Sequence, residues 1–152
     1  MTRQNLILIA AFGSAALLAG AFGFQYIGGL WPCTLCIWQR WPHAAAIVFA
    51  ALGLSLPHRI WPILGGVAAL TTAAVALFHV GVEQAWWEGL ATCTADTMGN
   101  VSLDDLLNTD VTVGAPVRCD AIAWQMFGIS MAGWNGLVSL VLAAVWFRSA
   151  RL

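Results

Sequence analysis

Two cysteines close together in the sequence are the residues best suited to chemistry. Cys33 and Cys36 form a Cys-x-x-Cys pair in the stretch WPCTLCIWQR, directly before a long apolar segment. The first turn of a helix carries free backbone N–H groups and a partial positive charge, which favour a thiolate over a thiol. Arg40 follows Cys36 by one helical turn, so the two side chains would share a face. The guanidinium is therefore predicted to stabilise a Cys36 thiolate or an anionic group on a ligand, the alternative being an arginine that snorkels to the headgroups.

A second pair of cysteines, Cys93 and Cys119, lies much further along the chain. Arg118 precedes Cys119, whereas Cys93 has neutral neighbours. If these two cysteines are joined, an incoming thiolate should attack Cys93, because Cys119 is the better leaving thiolate, although Asp120 partly offsets Arg118. The SLDDLLN segment between them is predicted to form a short helix that begins at Ser102.

The composition is that of an integral membrane protein. Of the 152 residues, 61% are hydrophobic and only 9% are charged, and the mean hydropathy is +0.81. A soluble domain of this size needs far more polar surface. No basic patch with interleaved aromatic residues occurs in the sequence, so nucleic-acid binding has no support. We therefore expect a single membrane domain over residues 1–152 whose main partner is the lipid bilayer.

Four apolar segments are each long enough to cross the bilayer as a helix of roughly 20 residues. The predicted fold is an all-α, four-transmembrane-helix antiparallel bundle with a long loop, residues 83–121, between helices 3 and 4. A cleaved secretory signal is the alternative for the first segment, but its length and the lack of a polar cleavage region favour a retained helix. The four segments are Leu6–Phe24, Trp38–Leu56, Ile60–Val82 and Ile122–Phe147.

Small and aromatic residues on these segments carry two further predictions. Glycines should allow close helix contacts, namely Gly13, Gly20, Gly65, Gly66, Gly128 and Gly136. Tryptophans near the ends of the segments should anchor the protein at the membrane interfaces, namely Trp31, Trp38, Trp41, Trp61, Trp86, Trp87 and Trp146.

The arginines predict the orientation of the bundle. Arg3, Arg59, Arg148 and Arg151 flank the amino terminus, the turn between helices 2 and 3, and the carboxyl terminus. These three places lie on one face of a four-span topology, and arginines in short loops face the cytoplasm. All four cysteines then lie on the opposite face, where disulfides can persist.

Two thiol pairs on one face suggest a relay by thiol–disulfide exchange, whose electrons must leave the protein. The sequence has no Gly-rich nucleotide-binding turn, and the Cys-x-x-Cys lacks the histidine of a haem-attachment motif. A quinone dissolved in the bilayer fits the remaining requirement. His79, one turn before Glu83, is either a neutral structural histidine or a proton donor near the quinone, and the role of His43 is left open.

The chain resembles the DsbB family of bacterial disulfide-forming membrane proteins. The resemblance covers nearly the whole length: four spans, PCTLCIWQR before helix 2, FHVGVEQAWWEG leaving helix 3, and two cysteines in the loop before helix 4. It implies an oxidoreductase of the bacterial inner membrane, with both termini cytoplasmic and the loop between helices 3 and 4 periplasmic. Such a protein reoxidises a soluble thioredoxin-like oxidase of the DsbA type and passes the electrons to ubiquinone or menaquinone.

The resemblance also implies roles for individual residues. Cys93 would form the mixed disulfide with the partner, Cys119 would be released and attack Cys33, and Cys36 would be freed to interact with the quinone. Arg40 matches the arginine that the family places against the quinone, and His79 resembles the histidine near that site. No metal is implied.

Two residues depart from the family pattern. Gln39 stands where many members have a glutamate, so an ion pair to Arg40 from that position is missing, and Trp38 replaces a common tyrosine. Neither touches the relay in this interpretation, but both are expected to affect the affinity for the quinone or its type.

Three alternatives remain at this point. The vitamin K epoxide reductase family also combines a helical bundle with two cysteine pairs, but there the loop cysteines precede the Cys-x-x-Cys. A metal site made of all four thiolates would have unusual spacing for zinc. A structural four-span protein with inert disulfides explains the cysteines but not the position of Arg40.

Overall fold

A computed structural model describes residues 1–90 and 117–152 of the chain. The described residues form four helices, α1 (Arg3–Tyr26), α2 (Thr34–Ser55), α3 (Ile60–Glu83) and α4 (Met131–Ala150), and one small hairpin of β1 (Gln125–Met126) and β2 (Ile129–Ser130). The predicted all-α bundle with a long connection between the third and fourth helices is confirmed. Cys93 and the helix predicted at Ser102 lie outside the described residues.

Three of the helices, α1, α3 and α4, are long and apolar enough to cross a membrane. Helix α2 has 22 residues, a comparable length, but carries Gln39, Arg40 and His43 in its first half. Those polar side chains lower its hydropathy. Two of them, Gln39 and His43, are buried, so α2 is the polar helix of a multi-pass membrane protein, and its polarity is directed into the bundle.

Close contacts between small and large residues show that neighbouring helices are antiparallel. A Cβ atom added to Gly65 would lie 2.7 Å from the ring of Trp146, and one added to Gly66 would lie 2.8 Å from the ring of Phe147. The start of α3 therefore packs directly on the end of α4. Gly13 and Gly136 also lie at helix contacts, as predicted, whereas Gly20 has no neighbouring side chain within 4 Å.

The prediction for Trp146 was wrong. Its side chain is 0% exposed and belongs to the main apolar core with Ile7, Ala69 and Leu142. Glycines on α3 make room for this large ring, so it packs between helices instead of reaching the interface. The exposed tryptophans do occupy the bundle surface: Trp31, Trp38, Trp41, Trp86 and Trp87.

The fourth helix begins at Met131 and not at Ile122 as predicted. The intervening residues form the hairpin, in which Gln125 pairs with Ser130 and Met126 pairs with Ile129. The two residues of its turn have positive φ, 54° at Phe127 and 76° at Gly128, as a type I′ turn requires. Gly128 is thus a turn residue and not a helix-contact residue. Ser130 then caps α4 by accepting a hydrogen bond from the Gly133 N–H.

The arginines from which the orientation was predicted share one end of the bundle. Arg3 donates a hydrogen bond of 2.7 Å to the His58 carbonyl, which joins the amino terminus to the turn between α2 and α3. Arg148 and Arg151 follow the Trp146 contact with α3. This end is called the arginine end below, and the opposite end, which carries Cys33, Cys36 and Cys119, is called the thiol end.

Candidate thiol–disulfide site

Cys33 is the residue that starts α2 and brings the thiol pair together. It has extended backbone geometry, with φ −75° and ψ 172°, and its Sγ accepts a hydrogen bond from the Cys36 N–H at 3.2 Å. The two sulfurs are 2.7 Å apart, and both are free cysteines. Because the cap fixes both side chains in one helical turn, the pair is arranged for reversible disulfide formation.

The two thiols differ in their environment. The hydrogen bond with Cys36, together with burial, raises the pKa of the Cys33 thiol well above its ordinary range. Cys33 therefore holds its proton more firmly than an ordinary thiol does. Arg40 is near enough for its charge to act on the Cys36 sulfur.

Cys119 is fully buried and disulfide-bonded. Its side chain packs in one apolar cluster with Cys33, Leu35 and Val82. The fold therefore places the loop cysteine next to the Cys-x-x-Cys, which their separation in the sequence did not reveal. Cys93, the fourth predicted site residue, lies outside the described residues.

Arg118 contributes less to Cys119 than its position in the sequence suggested. Its guanidinium donates two hydrogen bonds to the Asp120 carboxylate, at 2.7 and 3.0 Å. This contact holds the pKa of Asp120 below its usual range and neutralises much of the arginine charge. The argument that Arg118 makes Cys119 the better leaving thiolate is weaker as a result.

His79 lies at the centre of the site. Its Nε2 is 3.6 Å from Cys33 Sγ, and its Nδ1 is 2.9 Å from the amide nitrogen of Gln39. The backbone of Cys119 lies close enough to the ring to interact with it. Glu83, one turn further along α3, approaches Nε2 to 3.8 Å.

A chain of buried polar side chains continues from Gln39 into the bundle. The Asn135 amide donates to Gln39 Oε1 at 2.7 Å and to Thr72 Oγ1 at 3.2 Å. The His43 Nε2–H donates to Asn135 Oδ1 at 2.9 Å. His43, whose role the sequence left open, is thus a member of this polar chain.

Sequence reasoning missed Asn135 altogether and misjudged Gln39. The side-chain amide of Gln39 contacts His79 and Asn135 and not Arg40. It is therefore bonded directly to His79, which in turn contacts Cys33. The available signal was the polarity of both residues within apolar segments, because a buried amide in a membrane helix needs partners. The other departure, Trp38, lies outside this site, on a shallow surface depression with Leu35 and Phe78.

Arg40 is held against α1. It donates to Gln25 Oε1 at 2.6 Å and to the Ala21 carbonyl at 3.3 Å, and its guanidinium lies 4.8 Å from the centre of the Phe22 ring. These contacts with neutral groups and an aromatic face fix its direction. The alternative of a freely snorkelling arginine is therefore disfavoured.

A cavity of about 300 Å³ opens beside these residues. One wall consists of apolar residues of α1, and its polar groups come from the Cys-x-x-Cys, the polar chain and Arg40. Within the described residues, His43 Nδ1 is a buried nitrogen with no hydrogen-bond partner. The lining includes Ala16, Leu17, Gly20, Ala21, Phe24, Cys33, Cys36, Gln39, Arg40, His43, His79 and Asn135.

The ligand atoms of Cys33, Cys36 and His79 lie within 4.8 Å of one another, a grouping that a metal ion also uses. Two sulfurs bound to one tetrahedral zinc ion with bonds of ~2.3 Å would lie roughly 3.8 Å apart. The observed separation of 2.7 Å is shorter. This geometry favours a redox pair over a metal site.

The fold and the site together define a class: small helical membrane proteins that hold a reactive dithiol beside an apolar cavity at one end of the bundle. Comparison with known proteins narrows this class. The family model described as disulfide bond formation protein DsbB matches residues 3–148. The chain belongs to the DsbB family, as its resemblance indicated, and this membership implies an oxidoreductase.

Individual relatives support the assignment over nearly the full length. Disulfide bond formation protein B of Methylococcus capsulatus (strain ATCC 33009 / NCIMB 11132 / Bath) is 34% identical, over 97% of this chain and 96% of the relative. The protein of the same description from Paracidovorax citrulli (strain AAC00-1) is 32% identical, over 94% of this chain and 83% of the relative. No solved structure gives a significant match.

Proposed function

We propose that this protein is an inner-membrane thiol:quinone oxidoreductase that reoxidises a periplasmic thioredoxin-like oxidase of the DsbA type. The observation that carries the proposal is the position of the Cys-x-x-Cys. Cys33 packs with the loop cysteine Cys119, while both Cys33 and Cys36 line the cavity beside Arg40. The pair thus has a thiol partner on one side and an apolar site for an electron acceptor on the other.

This arrangement and the family support the following relay. Cys93 accepts the partner thiolate and forms the mixed disulfide, which releases Cys119 as a thiolate. Cys119 then attacks Cys33; the Cys33–Cys119 bond forms, the Cys33–Cys36 bond breaks, and Cys36 leaves as a thiolate. Arg40 and the start of α2 favour that thiolate electrostatically. Each exchange forms one disulfide as it breaks another. The second thiolate of the partner then attacks its own sulfur in the mixed disulfide, so the oxidised partner leaves and Cys93 is freed. Cys93 attacks Cys119, the Cys93–Cys119 bond forms again, and Cys33 leaves as a thiolate, so the two electrons of the partner now reside on Cys33 and Cys36.

The residues around the cavity fit a quinone, either ubiquinone or menaquinone. Leu17 and Phe24 offer apolar surface for a flat ring, Arg40 offers N–H donors for its oxygens, and His79 also lines the cavity. The unpartnered His43 Nδ1 offers an acceptor. A quinone bound there supplies the final acceptor of two electrons and two protons. The protein holds Cys36 and these polar groups on one side of the cavity, and the apolar residues on the other side exclude water.

The arginine distribution supports the orientation. With Arg3, Arg59, Arg148 and Arg151 in the cytoplasm, both termini are cytoplasmic and the thiol end faces the periplasm. That compartment is oxidising. A DsbA-type partner has a potential of about −120 mV, which ordinary thiol pools cannot restore, so a more oxidising acceptor is required.

The test uses the purified full-length protein in detergent, a reduced DsbA-type oxidase and a soluble quinone analogue, with quinone absorbance as the readout. Wild type should reduce the quinone, and both Cys36→Ser and Cys93→Ser should stop the reaction. Ser149→Ala, which removes a buried hydrogen bond of 2.7 Å at the arginine end, is the control that should stay active. A wild-type protein that reduces no quinone and whose disulfides do not react with the oxidase would overturn the proposal in favour of a structural bundle.

A further inference from the structure

His79 connects the loop cysteine to the Cys-x-x-Cys. Its Nε2 lies 3.6 Å from Cys33 Sγ, and the backbone of Cys119 interacts with the ring. Cys33 and Cys119 pack in one apolar cluster. A neutral imidazole has only one N–H. Which nitrogen carries that proton therefore decides whether Nε2 faces the Cys33 sulfur as a donor or as an acceptor.

The surrounding hydrogen bonds determine the position of the proton. The Thr72 hydroxyl donates to the backbone carbonyl of Gln39 at 3.0 Å. The Thr72 oxygen can therefore accept a hydrogen bond from the Asn135 side-chain amide nitrogen. With its nitrogen directed there, Asn135 also donates to Gln39 Oε1. The oxygen of the Gln39 amide is thereby occupied, and its nitrogen faces His79 Nδ1 at 2.9 Å.

The amide of Gln39 is a donor, so His79 Nδ1 accepts and Nε2 carries the proton. An N–H on Nε2 can donate to the backbone carbonyl of Cys119 and to the sulfur of Cys33. The side chains of Gln39 and His79 are 6% and 4% exposed by residue, so water competes little for these bonds.

We propose that Gln39 is a positioning residue that fixes the Nε2–H tautomer of His79, and that this N–H docks Cys119 against Cys33 for the exchange between the two cysteine pairs. The inference rests on the proposed function, because it assigns a role within that relay. His79 would hold the Cys119 backbone while the Cys119 thiolate attacks Cys33 and Cys36 leaves. The same N–H donates to the Cys33 sulfur during the transfer.

Substitution of Gln39 by glutamate reverses the polarity at one atom with little change in shape. An ionised carboxylate accepts and does not donate, so it would draw the His79 proton to Nδ1. Nε2 would then present a lone pair to the Cys33 sulfur and could donate neither to it nor to the Cys119 backbone. Gln39→Leu removes the bond without imposing either tautomer.

The experiment measures the tautomer and the exchange separately, on quinone-free full-length protein in detergent. Histidine labelled with ¹⁵N reports which ring nitrogen is protonated, and the chain has only three histidines, so a His79→Gln sample assigns the signal. Rapid quenching with acid after addition of a reduced DsbA-type oxidase, followed by alkylation and mass spectrometry, measures the appearance of the Cys33–Cys119 disulfide. Ser149→Ala is the matched control for loss of one buried hydrogen bond.

We expect the Nε2–H tautomer in wild type and Ser149→Ala, the Nδ1–H tautomer in Gln39→Glu, and a mixture in Gln39→Leu. Formation of the Cys33–Cys119 disulfide should slow by about tenfold in Gln39→Glu, the effect of one lost buried hydrogen bond, and by less in Gln39→Leu, whose mixture still contains the Nε2–H form. The same tautomer in all variants would overturn the role of Gln39. A changed tautomer with an unchanged exchange rate would overturn the docking role of His79. The tautomer readout needs neither quinone nor partner, so its failure is distinct from a failure of the proposed function.

Discussion

The two ends of the bundle are built on opposite principles. At the arginine end, glycines of α3 receive the rings of Trp146 and Phe147, and the core is closed by apolar packing. At the thiol end, amides and imidazoles fill the centre, and a cavity of about 300 Å³ remains beside them. Close packing can provide the stability on which a polar, partly open site depends. Changes at the arginine end should therefore affect stability first, and changes at the thiol end should affect activity first.

The largest expected effect is at Cys33. Cys33→Ser should abolish quinone reduction, because a hydroxyl cannot form the disulfide, while the melting temperature in detergent stays close to that of wild type. Serine is a good N-cap and can accept the Cys36 N–H as the sulfur does. Cys33→Ala, which loses the cap, should be less stable by about 1 kcal/mol. Residual turnover in Cys33→Ser would contradict the assignment of this sulfur to the relay.

Gly65→Ala should produce the converse result. The added Cβ would lie 2.7 Å from the Trp146 ring, and overpacking of this kind costs about 1–3 kcal/mol. The melting temperature should fall, while the folded fraction keeps the quinone KM of wild type. Gly23→Ala is the matched control, since a Cβ there meets no atom within 4 Å. If both variants had the same melting temperature, the close packing of α3 on α4 would not be what stabilises the arginine end.

Arg40→Lys tests whether a residue that lines the cavity affects activity more than stability. Lysine keeps the charge but loses the planar group that bonds Gln25 and Ala21 together. We expect the quinone KM to rise by up to about tenfold, with a smaller change in kcat and no measurable change in melting temperature. A fall in stability without a change in KM would indicate that Arg40 only ties α2 to α1.

The smallest effect should come from Asp120, on the surface of the thiol end. Arg118 lowers the pKa of Asp120 in the folded protein, so the pair stabilises the fold at pH values above the ordinary Asp pKa of about 3.9. This contribution is lost as the pH falls through the lower, folded-state value. Solvent screens the pair, so Asp120→Asn should cost at most about 0.5 kcal/mol near neutral pH. Unfolding of wild type and variant from pH 3 to 7 measures it, and a difference that grew toward acid would have the wrong sign.

The sequence alone determined the parts of this protein that depend on local pattern. The length of the apolar segments predicted the helices, since a membrane span needs about 20 apolar residues. The spacing of Cys33, Cys36 and Arg40 predicted that they lie on one face of α2. Local pattern failed near Ile122, where apolar residues form a hairpin. It also failed at Trp146. The sequence pattern of an aromatic residue at a helix end is the same whether its ring contacts lipid or packs on a glycine of another helix.

Tertiary structure alone decided which distant residues meet. The placement of Cys119 against Cys33, and the direction of Gln39 toward His79 and Asn135, depend on contacts between α2, α3 and α4 that no spacing along the chain encodes. A buried amide must satisfy its hydrogen bonds with whatever the packed neighbours offer. Composition shows that such partners must exist, and only the packing of the helices shows which residues they are.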